Sequence, residues 1–326
     1  MPDDPINASV WLWGGLVLFI ALSFVVDFKF FQRDHHTPVS LKRATVWSVF
    51  WIVVALAFGG FLFVAENNKA GSEFLTGYLL ERSLSLDNVF VFSLLFGAMA
   101  VPTAQKQNVL ELGIIFALIL RLIFILLGAA IIDAFDFVLY IFGAILLITG
   151  IRMALQHGQE ESIDPDKNPG KIILSKIMPV TDDYRGGSYF VKEAGKRMAT
   201  PLLAVVAAVA TADIIFAVDS IPAIFGITTD TFIVFSANAF ALLGLRALFA
   251  LLEGARDRFA YLGLGLAFIL VFIGVKMLIE DLYHIPVGLS LAVILLALLT
   301  SILVSLRKTS GGPGAGRGAE PAGVAS

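Results

Sequence analysis

The sequence predicts an all-α polytopic membrane protein, a transmembrane bundle of about nine helices, and three observations carry that prediction. Of the 326 residues, 58% are hydrophobic and only 15% charged, with a mean hydropathy of +0.88, far outside the range of a soluble globular domain. The apolar residues form continuous runs near the ~20 residues that a spanning helix needs, not the alternating ~10-residue segments of a barrel. In lipid only helices and closed barrels satisfy the backbone, so continuous runs decide for helices. The basic residues also segregate. When the connections are assigned alternately to two sides, eighteen Lys and Arg fall on one side and only Lys69 on the other. The positive-inside rule then puts the N-terminus outside and the C-terminus in the cytoplasm.

The first run, about 8 to 26, follows "MPDDPINASV", whose Asp3 and Asp4 stand where a signal peptide would carry positive charge, so this helix is expected to stay in the mature protein. A second run covers about 44 to 65. The third, about 72 to 100, contains "LERSLSLDNVFVFSLLF", with Glu81, Arg82, Asp87 and Asn88 inside an otherwise apolar span. The fourth (108 to 133) carries Arg121, and the fifth (137 to 155) completes an N-terminal membrane half, residues 1–155. Residues 156–198 read as a cytoplasmic linker: "HGQEESIDPDKNPG" is charged and proline-punctuated, and "KIILSKIMPV" is amphipathic enough to lie along the membrane interface. The C-terminal half, 199–306, holds runs at about 199 to 225, 231 to 253, 259 to 279 and 285 to 305. Residues 307–326 are rich in Gly, Ala and Pro and read as a disordered tail.

Polar residues recur in the sixth run as "ADIIFAVDSIPAIFGI". Aligning Asp87 with Asp219 also aligns Glu81 with Asp213 and Asn88 with Ser220, at one offset of 132. "LRLIF" around Arg121 matches "LRALF" around Arg246 at offset 125, and "TGIRM" matches "IGVKM" at offset 124. Runs three to five thus resemble runs six to eight. Three is an odd number, so the second repeat is inverted, the plan of secondary transporters whose substrate site lies near the midplane between repeats.

An ionisable residue at membrane depth costs about 2.5–3.5 kcal/mol on insertion scales and asks for a partner or a watery path. Glu81, Asp87, Asp213 and Asp219 against Arg121 and Arg246 sum to −4 plus 2, or −2, which one divalent cation would neutralise if all six lie together. Residues six apart on a straight helix sit about 9 Å apart in rise and roughly 120° off a common face. Pro222, which removes the donor to the Val218 carbonyl, is therefore expected to kink or break the sixth helix and free an oxygen beside Asp219 and Ser220. All these groups are hard oxygen donors that suit Mg²⁺, Mn²⁺ or Ca²⁺, and the chain has no Cys for softer metals.

"ERSLSLDNVFVF", "PVTDDYRGGSYFV" and "DIIFAVDSIPAIFGITTDTFIVFSANAFALLGLRALF" closely resemble the TerC/Alx family of bacterial integral membrane proteins, over about Trp47 to Leu306. The resemblance implies a nine-helix inner-membrane protein associated with manganese homeostasis and tellurium resistance, with Mn²⁺ export as the activity of some members. It places Glu81, Asp87, Asn88, Asp213, Asp219 and Ser220 on the family's polar membrane positions as metal ligands. The chain departs from the family where members often carry Glu, three residues before Asp213; here that position is Ala210.

The leading expectation is a transporter exporting a divalent cation, Mn²⁺, by alternating access. Glu81, Asp87, Asp213 and Asp219 ligate the ion or exchange protons in this reading, Asn88 and Ser220 add neutral oxygens, and Arg121 and Arg246 serve as charge partners or as stand-ins for the ion. No Walker A motif is present, so protons are the expected counter-ion. The rival is a membrane scaffold or stress-response protein in which the charges are structural and the linker is the contact surface. No nucleophile and base pairing or zinc motif suggests an enzyme, no cofactor is expected beyond the transported ion, and no basic stripe suggests nucleic acid. Glu111 and Glu253 read as solvated helix ends, Asp133 and Asp136 as loop charge, and His35, His36, His157 and His284 as exposed.

Overall fold

Hydrogen bonding at the helix starts shows how the chain is punctuated. Asn67 Oδ1 accepts from Ala70 N (2.8 Å), and Asp230 Oδ1 accepts from Phe232 N and Ile233 N (2.9 and 3.0 Å), each satisfying amide donors that a helix start leaves orphaned. The structure is a computed structural model that describes residues 10–32, 40–135, 137–156, 169–193, 195–252 and 261–310. Its helices are α1 (Val10–Gln32), α2 (Leu41–Ala65), α3 (Asn68–Ala98), α4 (Thr103–Ala134), α5 (Val138–Leu155), α6 (Pro169–Ile177), α7 (Pro201–Phe225), α8 (Thr231–Leu242), α9 (Leu245–Leu252), α10 (Leu262–Leu278) and α11 (Val287–Ser310). Between α6 and α7 the linker forms an antiparallel hairpin of β1 (Phe190–Glu193) and β2 (Lys196–Ala199). The tail beyond Ser310, and His35, His36, Asp136, His157 and Glu253, lie outside the described residues.

The molecule is a polytopic all-α membrane protein, with one refinement to the expected spans. Six described helices are long and apolar enough to cross a membrane, or seven when α8 and α9 count as one span bent by 42°. The two remaining expected spans are helices of another kind: α3 has 31 residues but carries Lys69, Glu73, Glu81, Arg82 and Asp87, and α10 is apolar but only 17 residues long. Outward faces are apolar, as lipid contact requires: Trp11, Val64 and Ile119 are among the exposed side chains.

Packing carries the repeat into three dimensions. In α5, Gly150 lies so close to α10 that a methyl group there would sit 2.8 Å from the Ala267 carbonyl oxygen. In α10, a methyl group at Gly274 would sit 2.8 Å from the Gly143 carbonyl oxygen. The offset of 124 maps Gly150 onto Gly274 and Gly143 onto Ala267, so each contact is the other with the repeats exchanged. Residue numbers rise along one helix as they fall along the other, so α5 and α10 are antiparallel and the exchange turns one repeat upside down. Small residues at both crossings permit the close approach typical of membrane helices. The same exchange relates the packing of α3 on α8 to that of α7 on α4.

Two expectations about helix breaks are corrected. Pro222 does not break the sixth span: it sits inside α7, which continues to Phe225 and so gives up a hydrogen bond without ending. The interrupted span is the next one. Between α8 and α9, Gly244 adopts φ +75°, and a side chain there would strike the Trp51 ring at 2.6 Å. Glycine alone enters this left-handed region freely and leaves room for the indole.

Candidate functional site

Three mid-helix residues meet in the interior. Arg121 on α4 donates from Nη1 to Glu81 Oε2 on α3 (2.8 Å), and from Nε and Nη2 to Asp213 Oδ2 and Oδ1 on α7 (3.2 and 3.1 Å). The planar guanidinium thus clamps Asp213 with a bidentate fork and holds Glu81 with its remaining edge. All three side chains are at most 3% exposed. Glu81 comes from the first repeat and Asp213 from its counterpart in the second, so Arg121 ties the repeats together at their polar positions.

This layer separates two apolar cores. One contains Leu80, Ile125, Ala217 and Ala241; the other contains Val89, Ile114, Val209 and Leu242. The change from one core to the other comes near Arg121 on α4, Asp213 on α7 and the break after α8, and on α3 within the stretch after Glu81, where Leu86 and Phe90 pack against both. Arg82, next to Glu81, acts on that break: its Nη1 donates to the carbonyls of Ala241 (2.9 Å) and Leu243 (3.3 Å). Those are among the carbonyls a helix end leaves orphaned, and the cation meets the negative end of the α8 dipole.

Several buried polar atoms around the layer have no hydrogen-bond partner: Glu81 Oε1, Ser85 Oγ, Ser220 Oγ and both amide atoms of Asn238 on α8. Ser85 and Asn88 follow Glu81 by four and seven residues and share its face of α3, as Ser220 shares that of Asp213 on α7. In a lipid-embedded interior each such orphan costs several kcal/mol. Among the described residues no three His, Asp or Glu side chains are arranged to hold a metal ion. The observed geometry is a guanidinium clamp bordered by unsatisfied oxygens.

The expected site residues divide as follows. Glu81, Asp213 and Arg121 come together, Asn88 and Ser220 are buried on the same helix faces, and the Asp87 side chain lies outside what the structure describes. Asp219 does not join the clamp. It accepts from Thr149 Oγ1 on α5 (2.9 Å), because six residues from Asp213 on an unbroken helix it faces elsewhere. Arg246 also lies elsewhere, since the bend places α9 near the ends of α1 and α4: its Nη1 is 3.0 Å from Glu111 Oε2 and 3.6 Å from Asp27 Oδ2. The sum of −2 over six groups is therefore corrected to −1 for Glu81, Asp213 and Arg121, if ionised, with Arg246 in a separate triad. Glu111 is not a solvated end; it is 8% exposed and ion-paired.

That second triad was invisible to sequence reasoning because Asp27, at the end of "FVVDF", looks like a helix terminus. Trp47 Nε1 donates to Asp27 Oδ1 (2.6 Å) and fixes it. The triad lies toward the face of the molecule that carries the linker. Tyr189, before β1, comes near Glu111 there, and burial together with that carboxylate pushes its phenol above the usual tyrosine range. On the far face a third polar cluster forms around Glu73, which accepts from Thr228 Oγ1 (2.7 Å) and lies 3.9 Å from Lys69 Nζ. Lys276, 4% exposed, sits in the field of Glu280 and Glu73. Charge thus forms three layers along the bundle, Glu73 standing eight residues or about 12 Å of helix from Glu81.

Comparison with known proteins follows the same segments. The model of the integral membrane protein TerC family matches residues 66–311. An uncharacterized membrane protein of Myxococcus xanthus is 41% identical over 313 residues, 96% of this chain and 97% of that one. Alx of Escherichia coli K12, named as a membrane-bound redox modulator, is 44% identical over 302 residues, 90% of this chain and 94% of its own. An uncharacterized membrane protein of Mycobacterium bovis is 40% identical over 280 residues, 85% of this chain and 70% of that one. No solved structure matches the chain.

Proposed function

The chain belongs to the TerC family of integral membrane proteins, and from that premise we propose that it is a transporter that exports a divalent metal cation, Mn²⁺ first, in exchange for protons. The observation that carries this reading is the Glu81–Arg121–Asp213 clamp, in which carboxylates from two inverted repeats share one guanidinium at mid-bundle. Two carboxylates would neutralise one divalent ion, and Arg121 already supplies one positive charge. Adding the ion without moving Arg121 would leave like charges crowded at low dielectric, where repulsion is strong. Ion and guanidinium therefore compete. Arg121 holds the carboxylates between ions and withdraws as an ion enters.

Alternating access needs a part that moves and layers that close in turn. The α8–α9 break, latched by Arg82, is the moving part in this reading, and the Arg246 triad and the Glu73 cluster are the closing layers. The basic linker side faces the cytoplasm of a bacterial inner membrane by the charge asymmetry, with the N-terminus outside. The redox effect in the name of Alx is compatible with movement of a redox-active ion; this chain has no Cys of its own for thiol chemistry.

The test is flux in proteoliposomes for Mn²⁺, Mg²⁺, Ca²⁺ and Zn²⁺ with internal pH recorded, comparing wild type with Glu81→Gln and Asp213→Asn. Saturable Mn²⁺ flux with an opposite pH change, lost in both folded variants, is the expected outcome. Folded wild type that moves none of the ions would refute the reading.

A further inference from the structure

Asn238 is the most anomalous polar residue of the bundle. It sits in "FSANAFALL" on α8, fully buried, in a helix whose other residues are apolar or small. A carboxamide offers an acceptor oxygen and two N–H donors, and neither its oxygen nor its nitrogen meets a partner. Asn238 lies beside Glu81, whose Oε1 is also unpartnered while Oε2 is held by Arg121. Two adjacent buried polar groups whose contact falls short of a well-formed hydrogen bond are costly at membrane depth. An apolar residue in place of Asn238 would remove the buried carboxamide and lose only its poorly formed contact with Glu81.

The donor types around this gap are uniform. Glu81 Oε1 offers an anionic oxygen, the Asn238 carboxamide a neutral one, and Ser85 Oγ, one turn along α3 from Glu81, a hydroxyl. Oxygen-only sets of this kind suit hard divalent cations, and the number of charged ligands in the set tunes which ion is held. We infer that the Asn238 carboxamide oxygen ligates the transported cation opposite Glu81 and, as a neutral donor, sets the preference among divalent ions. This assignment rests on the transport reading above and adds to it a ligand on α8. Because Asn238 and the carbonyls capped by Arg82 lie on one short helix, an ion held there also biases the α8–α9 break.

The experiment uses full-length protein with Asn238→Leu, which keeps the branched heavy-atom shape and removes the polar atoms, and Asn238→Asp, which keeps the oxygen and adds charge. Half-saturating concentrations for Mn²⁺, Mg²⁺ and Ca²⁺ flux are measured, together with stabilisation of the detergent-solubilised protein by MnCl₂ against heat. Asn238→Leu is expected to be at least as heat-stable as wild type without metal and to weaken Mn²⁺ half-saturation about tenfold, the equivalent of ~1.4 kcal/mol. Asn238→Asp is expected to retain ion-dependent stabilisation while the Mn²⁺ to Mg²⁺ and Ca²⁺ ratio changes, which a merely structural role would not move. Should Asn238→Leu misfold, the Asp variant decides alone: an unchanged ratio overturns the assignment. Unchanged half-saturation and ratios in both folded variants, while Glu81→Gln abolishes flux, overturn it but leave transport standing. If wild type moves no ion but MnCl₂ stabilises it and not Asn238→Leu, transport falls and the ligand stands; absence of both flux and stabilisation overturns both.

Discussion

Replacing Arg121 with Met isolates the clamp from the rest of the bundle. The thioether keeps most of the apolar stem and removes the guanidinium that Glu81 and Asp213 share, three hydrogen bonds of 2.8 to 3.2 Å in all. Removing one partner of a buried ion pair costs about 3–5 kcal/mol, because the other charge is left uncompensated. Here two carboxylates are left, so Arg121→Met in EDTA is expected to lose stability at the upper end of that range. A divalent ion should then replace the guanidinium. At a hundredfold excess over its dissociation constant, a bound ion returns about 2.7 kcal/mol, and in thermal unfolding that recovery is a shift on the order of 5 °C. The wild type, in which Arg121 competes, should gain less from the same MnCl₂. Adding Glu81→Gln and Asp213→Asn to Arg121→Met should restore stability without metal and abolish the response. An Arg121→Met protein that is as stable as wild type in EDTA, or that is folded and unmoved by every divalent ion, would refute both the clamp and the competition.

Arg82→Met removes the donors that cap α8, and amide exchange at residues 242–246 should accelerate with a stability loss of about 1–3 kcal/mol; unchanged exchange there would show that Arg82 does not latch the break. Gly244→Ala must place a methyl at φ +75° and within 3 Å of the Trp51 ring, and the expected cost is about 1–3 kcal/mol, read by thermal unfolding, with flux slowed more than stability alone explains. Gly274→Ala drives a methyl to 2.8 Å from the Gly143 carbonyl oxygen, and overpacking should cost about 1–3 kcal/mol. Gly150→Ala is its equivalent through the repeat exchange and should cost a similar amount, a symmetry that unfolding measurements on the pair would test.

The spans and the central clamp were legible because membrane burial makes charge rare. Glu81, Arg121 and Asp213 stand out against apolar neighbours, and repetition at constant offset marks the first and last as counterparts. What a sequence of this kind hides is the lateral order of helices. Arg246 occupies the position equivalent to Arg121, yet its partners are Asp27 and Glu111, because the bend at Gly244 carries α9 away from the clamp. Asp219 matches Asp87 in the repeat but faces Thr149, a consequence of helical phase once Pro222 leaves α7 intact. Asn238 escaped notice for a different reason: a single neutral amide in an apolar run looks innocuous until it proves to be buried beside Glu81 without a well-formed hydrogen bond.

The chain's rare charges are connected mechanically as well as electrostatically. Glu81 and Arg82 are neighbours on α3 that reach different structures, the first binding Arg121 beside Asn238 and the second holding the last carbonyls of α8. Two residues past the Gly244 turn, Arg246 joins Asp27, so α8 and α9 link the central clamp to the layer nearest the linker. In the proposed transport cycle, an ion that pulls Asn238 toward itself acts on α8, and the Gly244 turn joins α8 to α9, which carries Arg246 and the next closing layer. The two apolar cores meet at this level, where Phe24, Leu86, Phe90 and Leu118 pack against both. In the proposed transport cycle, the connection from the ion to the α8–α9 break is no longer than α8 itself.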